Sequence, residues 1–228
     1  MINFTGGERM TQGYLALPPS GAGPGVLVLH AWWGLNDFFK QFCDRLAAAG
    51  IVALAPDLYD GRTAATIEEA QQLIATLDDE RTTEAVVGAV NYLQGNAAVV
   101  GDTLGTVGFS MGGAWALLLA TALAPEDLGA VVVFYGNYAD IEQDDYAKSH
   151  AAFLGHFAET DEWEPVADVQ QTEERMRAAG RPVTFHFYPG VGHWFSEADR
   201  SDAFNAEAAE LAWQRTVDFL RAKLAPPA

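Results

Sequence analysis

Nine consecutive residues constrain this chain more than any other stretch: Val107-Gly108-Phe109-Ser110-Met111-Gly112-Gly113-Ala114-Trp115. Thr106–Phe109 reads as the end of a buried strand, and the run from Ala114 to Ala124 reads as a helix. Between them Gly108, Ser110 and Gly112 make a GxSxG turn, which lifts a serine hydroxyl above a sheet when strand, turn and helix follow in that order. The glycines have a physical role, since a strained backbone at the serine leaves no space for a Cβ where strand and helix close on each other. Outside that setting, the same positions would describe a glycine-rich turn with a solvated serine.

The flanking sequence supplies the setting. Gly25–His30 and Ile51–Ala55 are continuous apolar runs, as in strands covered on both faces of a parallel sheet. Gly129–Tyr135 is β-branched and aromatic, and Gly13–Leu17 and Val183–Tyr188 read as further strands. Helical spacing links Phe38, Phe42, Leu46 and Ala49 behind an Asp37 cap, then Ile67, Ala70, Ile74 and Leu77, then Val86, Ala89, Val90 and Leu93. It returns across Pro165–Gly180 and from Phe204 through Trp213, Val217, Leu220 and Leu224. Strands alternating with helices imply right-handed βαβ units and a mostly parallel central sheet with helices on both faces; together with the GxSxG elbow the expected fold is an α/β-hydrolase with no large cap domain. Nothing resembling a linker divides the 228 residues, which predicts a single domain over 1–228. The acidic stretch from Asn137 to His150 has weak patterning and reads equally as a lid or a solvated loop.

Composition narrows the partners. A net charge of −18 disfavours nucleic acid, anionic lipid and, without a local basic pocket, an anionic substrate. The single cysteine, Cys43, excludes an internal disulfide and a cysteine-ligated zinc, and beside a helix's apolar face it reads as a buried thiol. Met1–Gln12 lacks the basic and apolar regions of a signal peptide, and no apolar run is long enough for a bilayer, so a cytoplasmic protein is expected.

A serine hydroxyl is a weak nucleophile until a histidine takes its proton and a carboxylate orients that imidazole. In a parallel sheet these groups collect at the carboxyl ends of strands. Of five histidines, only His193 follows the last strand, in Tyr188-Pro189-Gly190-Val191-Gly192-His193-Trp194-Phe195. The loop after Phe157 offers Glu159, Asp161, Glu162 and Glu164; Asp161 lies far enough on for the chain to turn back, while Glu159 and Glu162 remain alternates. An oxyanion hole needs two backbone N–H donors, expected from Met111 and from Trp32 in the loop after Leu29. Trp32, Trp33, Trp115, Trp163 and Trp194 lie in or beside these loops and predict an aromatic-walled pocket.

At this point the residues resemble the dienelactone hydrolase family over nearly the whole chain. The resemblance rests on Gly13-Tyr14-Leu15-Ala16 with Pro18, His30-Ala31-Trp32-Trp33-Gly34-Leu35-Asn36-Asp37, Ala55-Pro56-Asp57-Leu58-Tyr59 and Gly108-Phe109-Ser110-Met111-Gly112-Gly113. Gly155-His156-Phe157 with Asp161, and Tyr188-Pro189-Gly190 with His193 and Phe195, complete it. The resemblance supports Asp161 over its neighbours, and it implies a monomer. It also marks three departures. The family's best-known members carry a cysteine nucleophile where this chain has Ser110, and a glutamate coupled to that cysteine where it has Ala31. Members that cleave dienelactone hold its carboxylate with arginines. Here His193 is followed by Trp194, Phe195, Ser196 and Glu197, with Arg200 the first basic residue, and Thr66–Asp79 has no arginine.

The resulting expectation is a serine hydrolase of a neutral, partly apolar ester or lactone, working through Ser110, His193 and Asp161 without metal or organic cofactor. Its rivals are an anionic lactone or dienelactone hydrolase, a thioesterase, and a non-catalytic binding protein on the same fold.

Overall fold

The computed structural model describes residues 1–225, so the last three residues of the domain expected over 1–228 lie outside the described range. Among the described residues the apolar runs form one eight-stranded sheet in the order β1-β2-β4-β3-β5-β6-β7-β8. The strands are β1 (Ile2–Gly6), β2 (Arg9–Ala16), β3 (Gly25–Leu29), β4 (Val52–Pro56), β5 (Leu104–Phe109), β6 (Leu128–Phe134), β7 (Ala152–Ala158) and β8 (Val183–Tyr188). From β4 across to β8 every neighbouring pair is parallel, and β1–β2 and β2–β4 are antiparallel.

Side-chain alternation splits the core in two. Val26 and Val28 of β3 face a cluster built with α1 (Asp37–Ala48), α2 (Ile67–Ile74) and α7 (Ala206–Leu224), while Leu27 and Leu29 face the opposite one. That second cluster is filled from α3 (Asp79–Gln94), α4 (Met111–Leu118), α5 (Gln143–Tyr146) and α6 (Val166–Ala178). Both layers bury side chains worth about 1.5–3 kcal/mol each, which is why central strands read as unbroken apolar runs. Phe109, the last residue of β5, is fully buried and stacks on Phe134 at 4.6 Å, with Phe42 edge-on at 5.0 Å. The rigid core therefore reaches directly under Ser110.

Several expectations shift in detail. The first strand begins at Arg9 rather than Gly13, and β1 pairs with it through a turn at Gly7-Glu8. The cap of α1 is Asn36, whose side chain accepts from the Phe39 N–H at 3.4 Å; Asp37 is the first helical residue, where the helix dipole favours a carboxylate. In α2 the buried positions are Ala70 and Leu73, while Ile67 and Ile74 are exposed, because the segment meets the core with a face one position removed from the apolar stripe. The helix after the elbow begins at Met111, not Ala114, and passes into a π turn at Leu119–Leu123. Within the acidic stretch after Asn137 lies the short α5; Ile141 and Tyr146 anchor it in the α3–α6 layer, and most of its other residues are exposed.

Candidate active site

The strand order reverses between β3 and β5, and the loops that follow β3, β5, β6, β7 and β8 meet above the carboxyl edge of the sheet there. Ser110 sits at the tightest point. Its φ of 50° and ψ of −114° lie in territory that side chains avoid, and the strain persists because the surroundings over-determine it. The Ser110 N–H donates to the Phe134 carbonyl at 2.9 Å, and its own carbonyl accepts from Gly113 at 2.8 Å. A Cβ at Gly108 would collide with the Gly112 carbonyl, and one at Gly112 with the Leu29 carbonyl, so strand and helix meet here only through glycine.

The Ser110 hydroxyl lies 2.9 Å from His193 Nε2, and His193 Nδ1 lies 2.8 Å from Asp161 Oδ2. Asp161 Oδ1 accepts from the N–H groups of Trp163 at 2.9 Å and Glu164 at 3.0 Å, a local turn that fixes the carboxylate. A carboxylate only accepts, so the imidazole proton sits on Nδ1 and Nε2 is left to accept from the serine hydroxyl. The Asp161 side chain is fully buried and that of His193 nearly so. The alternates point elsewhere: Glu159 accepts from the Gly190 N–H at 3.3 Å, and Glu162 is exposed.

The remaining histidines have other partners. His30 is buried, bonded through Nδ1 to the Ala31 carbonyl at 2.7 Å, and it accepts from the Leu58 N–H; burial lowers its proton affinity. His156 lies between the Tyr188 and Thr216 hydroxyls, and burial holds it well below the ordinary imidazole range. His186 stacks on His156, and His150 is exposed. Cys43 is fully buried, and burial pushes its thiol up, which keeps it protonated and inert.

Outside the regular elements the Trp32 N–H meets no carbonyl among the described residues, and Met111, as the first residue of α4, lies in the turn whose N–H groups have no intrahelical acceptor. Met111 opens α4, so the helix dipole adds positive potential at its amide. The Tyr59 hydroxyl reaches the Met111 sulfur at 3.3 Å and holds that side chain aside.

Four of the five tryptophans expected at the pocket gather. Trp32 and Trp33 lie edge-on at 5.3 Å, Trp32 and Trp194 stack at 6.0 Å, and Trp163 meets Trp32 edge-on at 5.0 Å. Trp115 does not join them: a turn down α4, it packs with the α3–α6 layer. Its nearness to Ser110 in sequence does not carry over, because the helix leads away from the mouth of the site. A groove of about 490 Å³ opens beside His193, lined by Thr160, Asp161, Glu162, Trp163, Gly192, Trp194, Asp202 and Ala203. No cationic side chain lines it. Arg200 lies 3.7 Å over the Trp33 ring, and its guanidinium donates to the Ala65 carbonyl at 2.9 Å.

Three residues hold places that the sequence does not assign them. Tyr135, with φ of 37°, follows β6 and sets its ring 4.9 Å from that of His193. Its hydroxyl donates to Glu197 Oε1 at 2.9 Å, and Glu197 is fully buried. Glu164 accepts from the Asn137 N–H, and burial beside Asp161 pushes it up to about 7. A carboxyl placed four residues after the expected histidine and among aromatics was the available signal for Glu197.

No helix among the described residues is long and apolar enough to cross a membrane, and none of their His, Cys, Asp and Glu side chains form a cluster suited to a metal ion. The dienelactone hydrolase family model matches residues 11–224. A probable 2-oxo-3-(5-oxofuran-2-ylidene)propanoate lactonase of Bradyrhizobium sp is 34% identical over 233 residues, covering 96% of this chain and 92% of its own length. Protein usf of Aquifex pyrophilus is 32% identical over 227 residues, with 97% of each chain covered. The crystal structure of a putative dienelactone hydrolase from Klebsiella pneumoniae is similar in fold, with a TM-score of 0.83 at 23% identity over 96% of this chain and 97% of that one. Since the family match runs unbroken from β2 to the end of α7, the chain belongs to the dienelactone hydrolase family and is a hydrolase of the lactone and ester class on the α/β-hydrolase fold.

Proposed function

We propose that Ser110, His193 and Asp161 act as a nucleophile, base and orienting carboxylate on an ester or lactone that carries no carboxylate of its own. The observation that carries this reading is the continuous chain from Ser110 Oγ to His193 Nε2 at 2.9 Å and from His193 Nδ1 to Asp161 at 2.8 Å. Ser110 attacks the carbonyl carbon while His193 Nε2 takes the hydroxyl proton, and Asp161 stabilises the imidazolium. Negative charge on the carbonyl oxygen is met by the N–H groups of Met111 and Trp32. Collapse expels the alcohol with the proton from His193, leaving an acyl group on Ser110. Water, deprotonated by His193, then attacks the acyl carbon, and the acid leaves with Ser110 regenerated.

Two features support an uncharged, partly aromatic substrate. The groove has acidic and tryptophan walls, and Arg200, the first basic residue after His193, is committed to Trp33 and backbone carbonyls. A carboxylate desolvated there lacks a partner. The printed name of the Bradyrhizobium relative favours one other reading, an anionic lactone as substrate. A panel of aryl acetates, lactones and thioesters, each with and without a carboxylate, separates the two: a clear preference for the carboxylate-bearing member would establish the second.

The mechanism is tested with Ser110→Ala. Turnover of an aryl acetate is expected to fall by at least about 10⁴ with the circular dichroism spectrum unchanged, and a fluorophosphonate is expected to label the wild type at Ser110. Undiminished hydrolysis by the folded variant overturns the mechanism.

A further inference from the structure

Among the described residues, seven buried side-chain polar atoms lack a hydrogen-bond partner, and five of them belong to Trp32, Trp33, Trp194, Glu197 and Arg200, a group that reaches His193 through Trp194 and Tyr135. Glu197 is the only carboxyl in this group. Its Oε1 accepts from the Tyr135 hydroxyl at 2.9 Å, and the same hydroxyl meets Ser196 Oγ at 2.7 Å. Glu197 Oε2 is unpartnered, as is Trp33 Nε1. The backbone of Glu197 closes the turn that follows His193: its N–H donates to the Trp194 carbonyl at 2.9 Å, and its carbonyl accepts from the Arg200 N–H at 2.9 Å.

What this carboxyl ties together gives it a role. Among the described residues four non-glycine positions have positive φ, and three of them, Ser110, Tyr135 and Trp194, contact His193. A bulky residue in that region persists only where neighbours hold it. Glu197 joins the turn that contains Trp194 to the hydroxyl of Tyr135, whose ring lies 4.9 Å from the His193 ring. Trp33, in the loop that carries the Trp32 amide, packs on Trp194 at 5.3 Å. We propose that Glu197 is a positioning residue for the proposed nucleophilic centre, clamping the loops after β6 and β8 so that Tyr135 seats the His193 imidazole against Ser110. This inference rests on the mechanism proposed above for Ser110 and His193.

The clamp works with Glu197 as a neutral acid. Burial pushes its carboxyl up to about 8; the Tyr135 hydroxyl and Arg200 pull it down, Asp199 pushes it up, and Trp33 presents an N–H. Above that pH a buried charge replaces the neutral group, with one hydroxyl as its hydrogen-bonded partner, and the seat of Tyr135 shifts. Turnover therefore carries an alkaline limb that belongs to Glu197.

The test compares wild type, Glu197→Gln and Tyr135→Phe in kcat from pH 6 to pH 10. Glu197→Gln keeps the shape and the acceptor but cannot ionise, so the limb near pH 8 is expected to disappear from its profile. Tyr135→Phe is expected to lower kcat at least about tenfold with KM nearly unchanged, and the double variant to be no worse than Tyr135→Phe. A separate readout follows the His193 imidazole by NMR in a Ser110→Ala background, where an inflection near pH 8 is expected with Glu197 present and not in Glu197→Gln. Persistence of the kcat limb and the imidazole inflection in Glu197→Gln overturns the clamp. If Glu197→Gln does not fold, Tyr135→Phe decides alone, and an unchanged kcat and pH profile overturns it. Active Ser110→Ala would instead sink the nucleophile assignment, and the imidazole titration would still report on Glu197.

Discussion

Two buried carboxyls within one site have opposite surroundings. Asp161 faces three donors: the N–H groups of Trp163 and Glu164 and the imidazole of His193. Glu197, as deeply buried, receives one tyrosine hydroxyl, and its second oxygen is bare. The difference is local geometry. A short side chain at the start of a turn meets the amides two and three residues on, whereas a long one reaching across to another loop leaves its own amides behind. Burial alone does not decide whether a carboxyl can serve as an anion; the donors aimed at it do.

The largest way to break this comparison is Asp161→Asn. The amide oxygen still accepts from the Trp163 and Glu164 N–H groups, so the turn survives. Its NH₂ then faces His193 Nδ1 and forces the proton onto Nε2, which can no longer accept from Ser110. We expect kcat on an aryl acetate to fall by about 10⁴ with KM little changed. The same carboxyl-to-amide change at Glu197 should lower kcat at neutral pH by less than about tenfold, because it replaces one neutral acceptor with another. Equal losses at the two positions would mean that donor number does not distinguish them.

A smaller effect concerns stability. A carboxyl raised on folding binds its proton more tightly in the native state, so its contribution is complete below the unfolded value near 4.5 and is lost as pH rises to about 8. Glu164, raised to about 7, has the same sign over a narrower window. Urea unfolding of wild type and Glu197→Gln at pH 5 and pH 8 should therefore diverge, with the variant gaining on the wild type by on the order of 1–3 kcal/mol at the higher pH. Parallel curves would place the Glu197 carboxyl in a better-solvated setting than its burial implies.

The contrast also marks what the sequence could disclose. Ser110, Asp161 and His193 each follow a strand end and sit in or after a turn, so periodicity and punctuation brought them to one edge of the sheet before any contact was known. Spacing favours Asp161 among four acids but leaves Glu159 and Glu162 as alternates, and the family resemblance adds support; what singles Asp161 out is the two amides it turns toward itself, which spacing does not report. Trp115 was misplaced for a related reason: chain neighbours diverge by a helical turn, and α4 carries its ring into the other core layer. Glu197 was read only as a missing arginine. Its burial depends on Tyr135, 62 residues earlier, and no local pattern signals such a pairing. The β1 strand has no long apolar run to mark it, because at the sheet edge only Phe4 and Gly6 of its five residues are buried.

The smallest effect offers the sharpest discrimination. Trp163 supplies Asp161 with a backbone N–H at 2.9 Å and, separately, offers the groove an indole that is 45% exposed and 5.0 Å edge-on to Trp32. Trp163→Ala removes the second and keeps the first. Aromatic pairs of this kind are worth about 0.5–1.5 kcal/mol, so KM for aryl esters should rise about two- to tenfold while kcat holds and folding stability changes by less than about 1 kcal/mol. A tenfold fall in kcat would mean that the ring, and not the amide alone, keeps Asp161 in place. The carboxylate would then depend on a packed side chain much as Glu197 depends on Tyr135, and the two buried acids would differ in degree rather than in kind.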